Sequence, residues 1–279
     1  MKRISKIAAF AVLYLFACQL CSVSAADFNE PRFSEDRNAQ PVKKLVVLKL
    51  DDLAAGSDGQ AVPARFQRVV DFLENKKIKS SIGVHGYSLV EDNPTYFKWI
   101  TDRAARGYIE FWNHGFHHRK KNPDGTFDPE HAVDEFLRSY SEQLHSLMMT
   151  DSLAKAKLGL DFPVWGPHWS NANLDTDRAL AKMGRIKMTF DYPPVVEQFK
   201  GFVFRNRIDI EYPTHNPDYE AFLKSYAEKS KDWDYFFLQG HPASWNETRW
   251  DNFVKIIEYL EKEGVQFVTA SELYEILGF

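Results

Sequence analysis

From Leu45 onward the chain alternates between two kinds of apolar pattern. Leu45-Val46-Val47-Leu48-Lys49-Leu50 is a short, nearly unbroken apolar run ending on Asp51-Asp52, the mark of a strand covered on both faces. Phe66, Val69, Val70 and Leu73 then recur at i, i+3, i+4 and i+7, which predicts an amphipathic helix beginning near Pro63. A second strand is predicted over 78–84. A helix follows Pro94, with Phe97, Ile100 and Ala104 on one face and Gly107 at its end, and a third strand over 108–112 runs into Asn113-His114. After a polar stretch over 119–128 with the turn residues Asn122-Pro123-Asp124-Gly125, a long helix is expected to carry Val133, Phe136, Leu137 and Tyr140 on one face. Strands over 162–165, 186–190, 235–238 and 265–268 are predicted next. Trp250, Phe253, Ile257 and Leu260 line the last long helix, and Thr269 and Glu272 have capping-box spacing before a final helix over 271–277.

Strand-then-helix units repeated in this way predict an α/β fold, a parallel sheet with outer helices, and seven or eight such units close into a barrel. A doubly wound open sheet is the alternative, but no glycine-rich phosphate or dinucleotide fingerprint follows the first strand.

The first 44 residues do not share this pattern. Lys2, Arg3 and Lys6 precede an apolar run from Ile7 to Ala17, and Val23-Ser24-Ala25 supplies small residues at signal-peptidase spacing. The expected organisation is a signal peptide over 1–25, a polar leader over 26–44 with Pro31 and Pro41, and one domain over 45–279. The apolar run is shorter than the roughly 20 residues that cross a bilayer. No transmembrane anchor is therefore expected, and the product is expected to be secreted or periplasmic. Leu15-Phe16-Ala17-Cys18 loosely resembles a lipobox, the alternative in which Cys18 carries a lipid. Both cysteines, Cys18 and Cys21, fall in this segment, so the mature chain is expected to have no disulfide.

Charge excludes one class of partner. The 35 Lys and Arg against 39 Asp and Glu give a formal net charge of −4, and the only charged residues that cleavage after Ala25 removes are basic, so no basic field exists to hold nucleic acid. The composition stands out in its aromatics, 22 Phe, 12 Tyr and 7 Trp, which invites the question of whether some of them serve a ligand rather than the core.

In a parallel barrel the functional side chains sit at the carboxyl ends of the strands. The first predicted strand ends in Asp51 and Asp52, the third in His114 with His118 four residues on, and the strand over 235–238 in Gln239-Gly240-His241. Two histidines at i and i+4 present both imidazoles to one ion if the intervening segment makes a helical turn, and an aspartate from a neighbouring strand completes the set. Nitrogen and carboxylate donors without thiolate suit Zn, Co, Fe or Mn. Of the two adjacent aspartates, one can bind the ion while the other stays free as a base, an arrangement suited to hydrolysis by activated water.

At these residues the sequence resembles the NodB-type polysaccharide deacetylases, carbohydrate esterases with a distorted (β/α) barrel and a divalent metal. Leu48-Lys49-Leu50-Asp51-Asp52 looks like the first motif of that family, which implies Asp51 as catalytic base and Asp52 as metal ligand. Asn113-His114-Gly115-Phe116-His117-His118 looks like the second, implying His114 and His118 as the other ligands of a divalent metal, zinc above all. Leu238-Gln239-Gly240-His241-Pro242, with Trp245 following, looks like the last motif, whose histidine is the general acid. The region matching the third motif, Phe162 to Trp169, lacks the arginine that orients the catalytic aspartate in that family, and Asp191 is the candidate for orienting His241. The resemblance implies a distorted barrel of about seven strands, an acetylated glycan as substrate, and removal of its N-acetyl groups. Trp165, His168, Trp169, Tyr192 and Trp245 lie near the motifs as candidate sugar contacts. His85 is ambiguous, while His131, His145 and His215 read as structural or solvated. Two other readings stand beside this one: a barrel kept for glycan binding with little or no activity, and a two-carboxylate glycoside hydrolase, which leaves the histidine pair without a role.

Overall fold

The first strand, β1 (Leu45–Leu53), sets the plan of the domain. Val46, Leu48 and Leu50 face outward into a core shared with Phe66, Val69, Val70 and Leu73 of α1 (Ala64–Asn75). Val47 faces the other way and packs with Trp112, Val164, Phe190 and Phe237 inside the barrel. Both faces are dry, which is why the run is almost continuously apolar; the exception, Lys49, points into the interior beside Trp112.

The computed structural model describes residues 43–116, 134–191 and 197–279. After β1 and α1 come β2 (Ser80–Val84), α2 (Pro94–Ala105), β3 (Ile109–Asn113), α3 (Tyr140–Leu153), β4 (Val164–Trp165), α4 (Leu174–Met183) and β5 (Met188–Phe190). They are followed by β6 (Phe202–Phe204), β7 (Arg207–Asp209), α5 (Tyr219–Lys229), β8 (Tyr235–Gly240), α6 (Glu247–Lys262), β9 (Gln266–Phe267) and α7 (Ala270–Ile276). The strands lie in the order β6-β5-β4-β3-β2-β1-β8-β7, with β9 also against β1, and every pairing is parallel. The result is a distorted (β/α) barrel, open between β6 and β7 among the described residues. No helix among those residues is long and apolar enough to cross a membrane.

The described residues contribute nine strands to this barrel, of which β6 and β7 span three residues each and offer no periodicity to read. One expectation needs correction. The helix expected to carry Phe136, Leu137 and Tyr140 on one face does not exist as one element; Val133 lies outside the described residues. Glu135–Leu137 is a single tight turn opened by the Asp134 side chain, and α3 starts only at Tyr140, where Ser139 and Glu142 form a reciprocal cap. Polar side chains that bond nearby backbone outcompete helix continuation there.

The two ends of the barrel differ. The amino-terminal end is closed by α7, where Ala270 N–H donates to Ser81 Oγ (2.9 Å) and Ser271 N–H to Glu110 (3.1 Å). Inside, the indole of Trp112 is wedged against Gly83 and Gly166: a Cβ on Gly83 would meet three of its ring carbons at 2.6 to 3.0 Å. Gly83→Ala is therefore expected to destabilise the fold by about 1–3 kcal/mol through overpacking, measured as a lower midpoint in urea unfolding; an unchanged midpoint would show that the indole has room to move.

Candidate active site

Five neighbouring parallel strands, β4, β3, β2, β1 and β8, deliver His168, His114, His85, the Asp51-Asp52 pair and His241 from their carboxyl ends. Regular pleating would send Asp51 and Asp52 to opposite faces. A bulge prevents this: Leu50 and Leu53 of β1 pair with Ile82 and Val84 of β2, so one extra residue is accommodated, and Asp52 takes a left-handed backbone (φ 66°). Both carboxylates then reach the same imidazole, with Asp52 Oδ1 3.3 Å and Asp51 Oδ2 4.0 Å from His114 Nε2.

The two aspartates have different surroundings. Asp51 is only 1% exposed. Its Oδ2 accepts from Lys49 Nζ and from Gln239 Nε2 (2.9 Å), while Oδ1 is buried and accepts no hydrogen bond. A single carboxylate thus has one oxygen held and one oxygen available. Burial pulls the Lys49 ammonium below its usual range, against the opposing pull of Asp51. Lys49 also lies over the ring of Trp112, 5.2 Å from its centroid. It is the buried cation paired with Asp51.

Asp52 lies 3.1 Å from His85 Nε2 as well as beside His114. Burial acts to raise its carboxyl, but hydrogen bonds from His114 and His85 and their charge outweigh this and hold it well below the usual carboxylate range. His114 is fixed from behind: its Nδ1 donates to the Gly166 carbonyl at 2.8 Å, which leaves Nε2 facing Asp52. The turn that carries it is held by Asn113, whose side chain bonds Leu147 O, Asp151 and Gly115 N. His168 is buried, with its Nε2 3.0 Å from Glu135 Oε1.

His241 stands on the other flank of Asp51, with Nε2 3.8 Å from Asp51 Oδ2. Its Nδ1 donates to Glu211 Oε2 at 2.7 Å. Glu211 also accepts from His241 N, His215 N and Trp245 Nε1, so its carboxylate is fully engaged. Burial lowers the His241 pKa, but the hydrogen bond and charge of Glu211, aided by Asp51 and Asp52, raise it overall. Glu211 moves the opposite way: burial raises its carboxyl, and the bond to His241 brings it below its ordinary value.

These placements revise several sequence readings. The carboxylate that orients His241 is Glu211; Asp191 instead faces Arg207 Nη1 at 3.7 Å. Trp165 is buried edge-on against Phe136 and is core, not a sugar platform. Trp245 is likewise buried, packed on Phe253, and uses its indole N–H to hold Glu211. His168 is buried and sits with the other imidazoles, where it also lines the cleft, and His85 joins the group. His215 is neither remote nor merely solvated: its ring lies 4.4 Å from that of His241. Burial and the charge of His241 lower its pKa. His145 is exposed. His118, His131 and Tyr192 lie outside the described residues.

An open cleft of about 430 Å³ runs over this floor, lined by Asp51, Asp52, His114, His168, Gln239 and His241, with Trp169, Arg207 and His215 on its walls. Trp169, 61% exposed and held with φ 55°, presents an aromatic face at its mouth. Among the described residues, Asp52, His85, His114 and His168 bring one ligand atom each to within 4.8 Å of one another. Three imidazoles and one carboxylate, without thiolate, are a donor set that fits zinc, cobalt, iron or manganese.

No known family pattern matches the sequence, and no curated protein matches it. Solved structures do. A family 4 acetyl xylan esterase from Clostridium thermocellum, in complex with a cobalt ion, superposes with a TM-score of 0.54 at 17% identity, over 84% of this chain and 91% of that one. The peptidoglycan deacetylase PdaC from Bacillus subtilis gives 0.55 at 19% identity, over 85% and 93%. A CE4 family pseudoenzyme from Bacillus anthracis gives 0.55 at 16%, over 84% and 66%. The chain has the fold these proteins share.

Proposed function

We propose that this protein is a metal-dependent carbohydrate deacetylase of the NodB type that hydrolyses the acetamide of an N-acetylated glycan to acetate and a free amine. The observation that carries this reading is the pairing of a proton acceptor with a proton donor over one cleft. Asp51 keeps one buried oxygen without a partner, and His241 is biased by Glu211 toward its protonated form.

A divalent metal held by Asp52 and His114 would supply the Lewis acidity that polarises the acetyl carbonyl and makes water nucleophilic near neutral pH. The residues of the chain do the rest. Asp51 Oδ1 takes the proton of the attacking water, while Lys49 and Gln239 hold its other oxygen in place. His241 Nε2 delivers a proton to the departing nitrogen, without which an amine leaves poorly, and Glu211 stabilises the charge before transfer. Trp169 offers the exposed face on which a sugar ring stacks. The basic and then apolar start of the chain supports action outside the cytoplasm.

The test is an acetate-release screen on chitin oligomers, peptidoglycan and acetylated xylan, with zinc or cobalt added and after chelation. Acetate appearing together with an equal amount of free amine, lost on chelation and restored by metal, is the expected result. The existence of a pseudoenzyme with the same fold makes the opposite outcome concrete: glycan binding by metal-loaded protein with no acetate from any substrate would assign a binding role instead.

A further inference from the structure

We infer that the metal centre of this chain is drawn from the ends of four consecutive strands, with His85 after β2 and His168 after β4 acting as ligands beside Asp52 and His114. This rests on the metal-dependent reading above and extends it. The resemblance to NodB-type deacetylases supplies Asp52, His114 and His118, and assigns neither His85 nor His168.

The packing of the three rings carries the inference. The centroids of His85 and His114 are 5.1 Å apart, those of His114 and His168 4.4 Å, and those of His85 and His168 4.7 Å. All three side chains are at most 2% exposed. Because His114 donates through Nδ1 to the Gly166 carbonyl, the neutral ring turns the lone pair of Nε2 toward Asp52 Oδ1 at 3.3 Å, and the lone pair and the carboxylate repel. A single shared cation resolves this, since each neutral ring then contributes a lone pair to it. Asp52 already receives two of the rings through the same oxygen, at 3.1 and 3.3 Å.

The surrounding groups are those that orient metal-binding imidazoles. A backbone carbonyl accepts from Nδ1 of His114, and a carboxylate, Glu135, lies against His168. Glu135 is itself fixed by Ser146 Oγ and by the Phe116 N–H. The Asp52 bulge has the same logic: without its left-handed turn the carboxylate would leave the side of the sheet on which the three rings meet.

The experiment uses the full chain, stripped with a chelator and titrated with Co²⁺ against a chromophoric competitor, with the visible absorption of bound cobalt as second readout. His85→Gln and His168→Gln are each expected to weaken Co²⁺ binding by about 10- to 100-fold or more and to change the cobalt bands. His145→Gln, at an exposed site, leaves both unchanged. Wild-type affinity and spectrum in both of the first two variants would overturn the assignment.

If a variant fails to fold, as judged by circular dichroism, the wild-type protein answers instead. Loaded with ¹¹³Cd and labelled with ¹⁵N at histidine, it is expected to show metal–nitrogen couplings to at least three rings, and two or fewer would overturn the assignment. The two readings fail separately. Cobalt held by His85 and His168 with no acetate released would remove the deacetylase reading alone. Acetate release with cobalt indifferent to both residues would remove this one alone.

Discussion

Lys49→Met is expected to destabilise the protein by about 3–5 kcal/mol, because it leaves the buried Asp51 carboxylate without its cation. Methionine fills much the same volume among Trp112 and Phe190, so the loss isolates charge from packing. The double variant Lys49→Met/Asp51→Asn is expected to recover most of that stability, since replacing both partners of a buried pair costs far less than removing one. Acetate release should return in neither. Urea unfolding of the wild type, Lys49→Met, Asp51→Asn and the double variant closes the cycle, and a double variant no more stable than Lys49→Met would show that Lys49 acts by packing and not by its charge. Lys49→Arg is the informative conservative change: guanidinium keeps the charge but needs more room than the wedge of Trp112 between Gly83 and Gly166 leaves.

Glu211→Gln is expected to lower kcat by about 10²- to 10⁴-fold, the range lost when a general acid is impaired. The amide has almost the shape of the carboxylate but brings two N–H donors to a group that now accepts four hydrogen bonds, so donor faces donor on one side whichever way it turns. The pH dependence gives the sharper signature. In the wild type the raised pKa of His241 keeps the acid protonated above the ordinary histidine range, so the basic limb of kcat/KM lies high. Without the Glu211 charge that limb moves to lower pH.

Stability follows the same sign. A folded-state pKa raised above the unfolded value contributes stability that is fully present below the unfolded pKa of about 6.5 and disappears as pH rises through the folded value. The stability gap between wild type and Glu211→Gln should therefore narrow on the alkaline side of that window, leaving the loss from mispaired donors. A histidine NMR titration of His241 checks the direction, and an unmoved titration with reduced kcat would assign Glu211 to orientation only.

The sequence made the scaffold legible because each long element carries its own period. The apolar run of β1 and the four-residue recurrence in α1 are local signals that tertiary packing reinforces. Asp51 and Asp52 could be picked out because they break the apolar run at the end of β1, and His114 and His241 because each directly follows a recognisable strand. Lys49 was in plain view within the first motif, but a lysine in a strand ordinarily marks an exposed face, and only the inward direction of its side chain reveals the pair with Asp51. Glu211 follows β7, a strand of three residues with no pattern, and so carried no signal. Trp165 and Trp245 misled for the opposite reason: proximity in sequence to a motif says nothing about which side of a strand end an indole takes. His85 follows the fully buried β2 as His114 follows β3, and the rule that selected His114 would have selected it too.

The position of β1 in the sheet bears on how the chain must be made. Its two long-pairing neighbours are β2, reached within about forty residues, and β8, which begins at Tyr235. During synthesis one edge of this largely apolar strand therefore waits, hydrogen bonds unmade, until most of the domain has emerged. Asp52, His85 and His114 belong to the early part, while Gln239, His241 and Glu211 arrive late. In chain order, one half of the cleft is therefore available for assembly well before the proton donor exists.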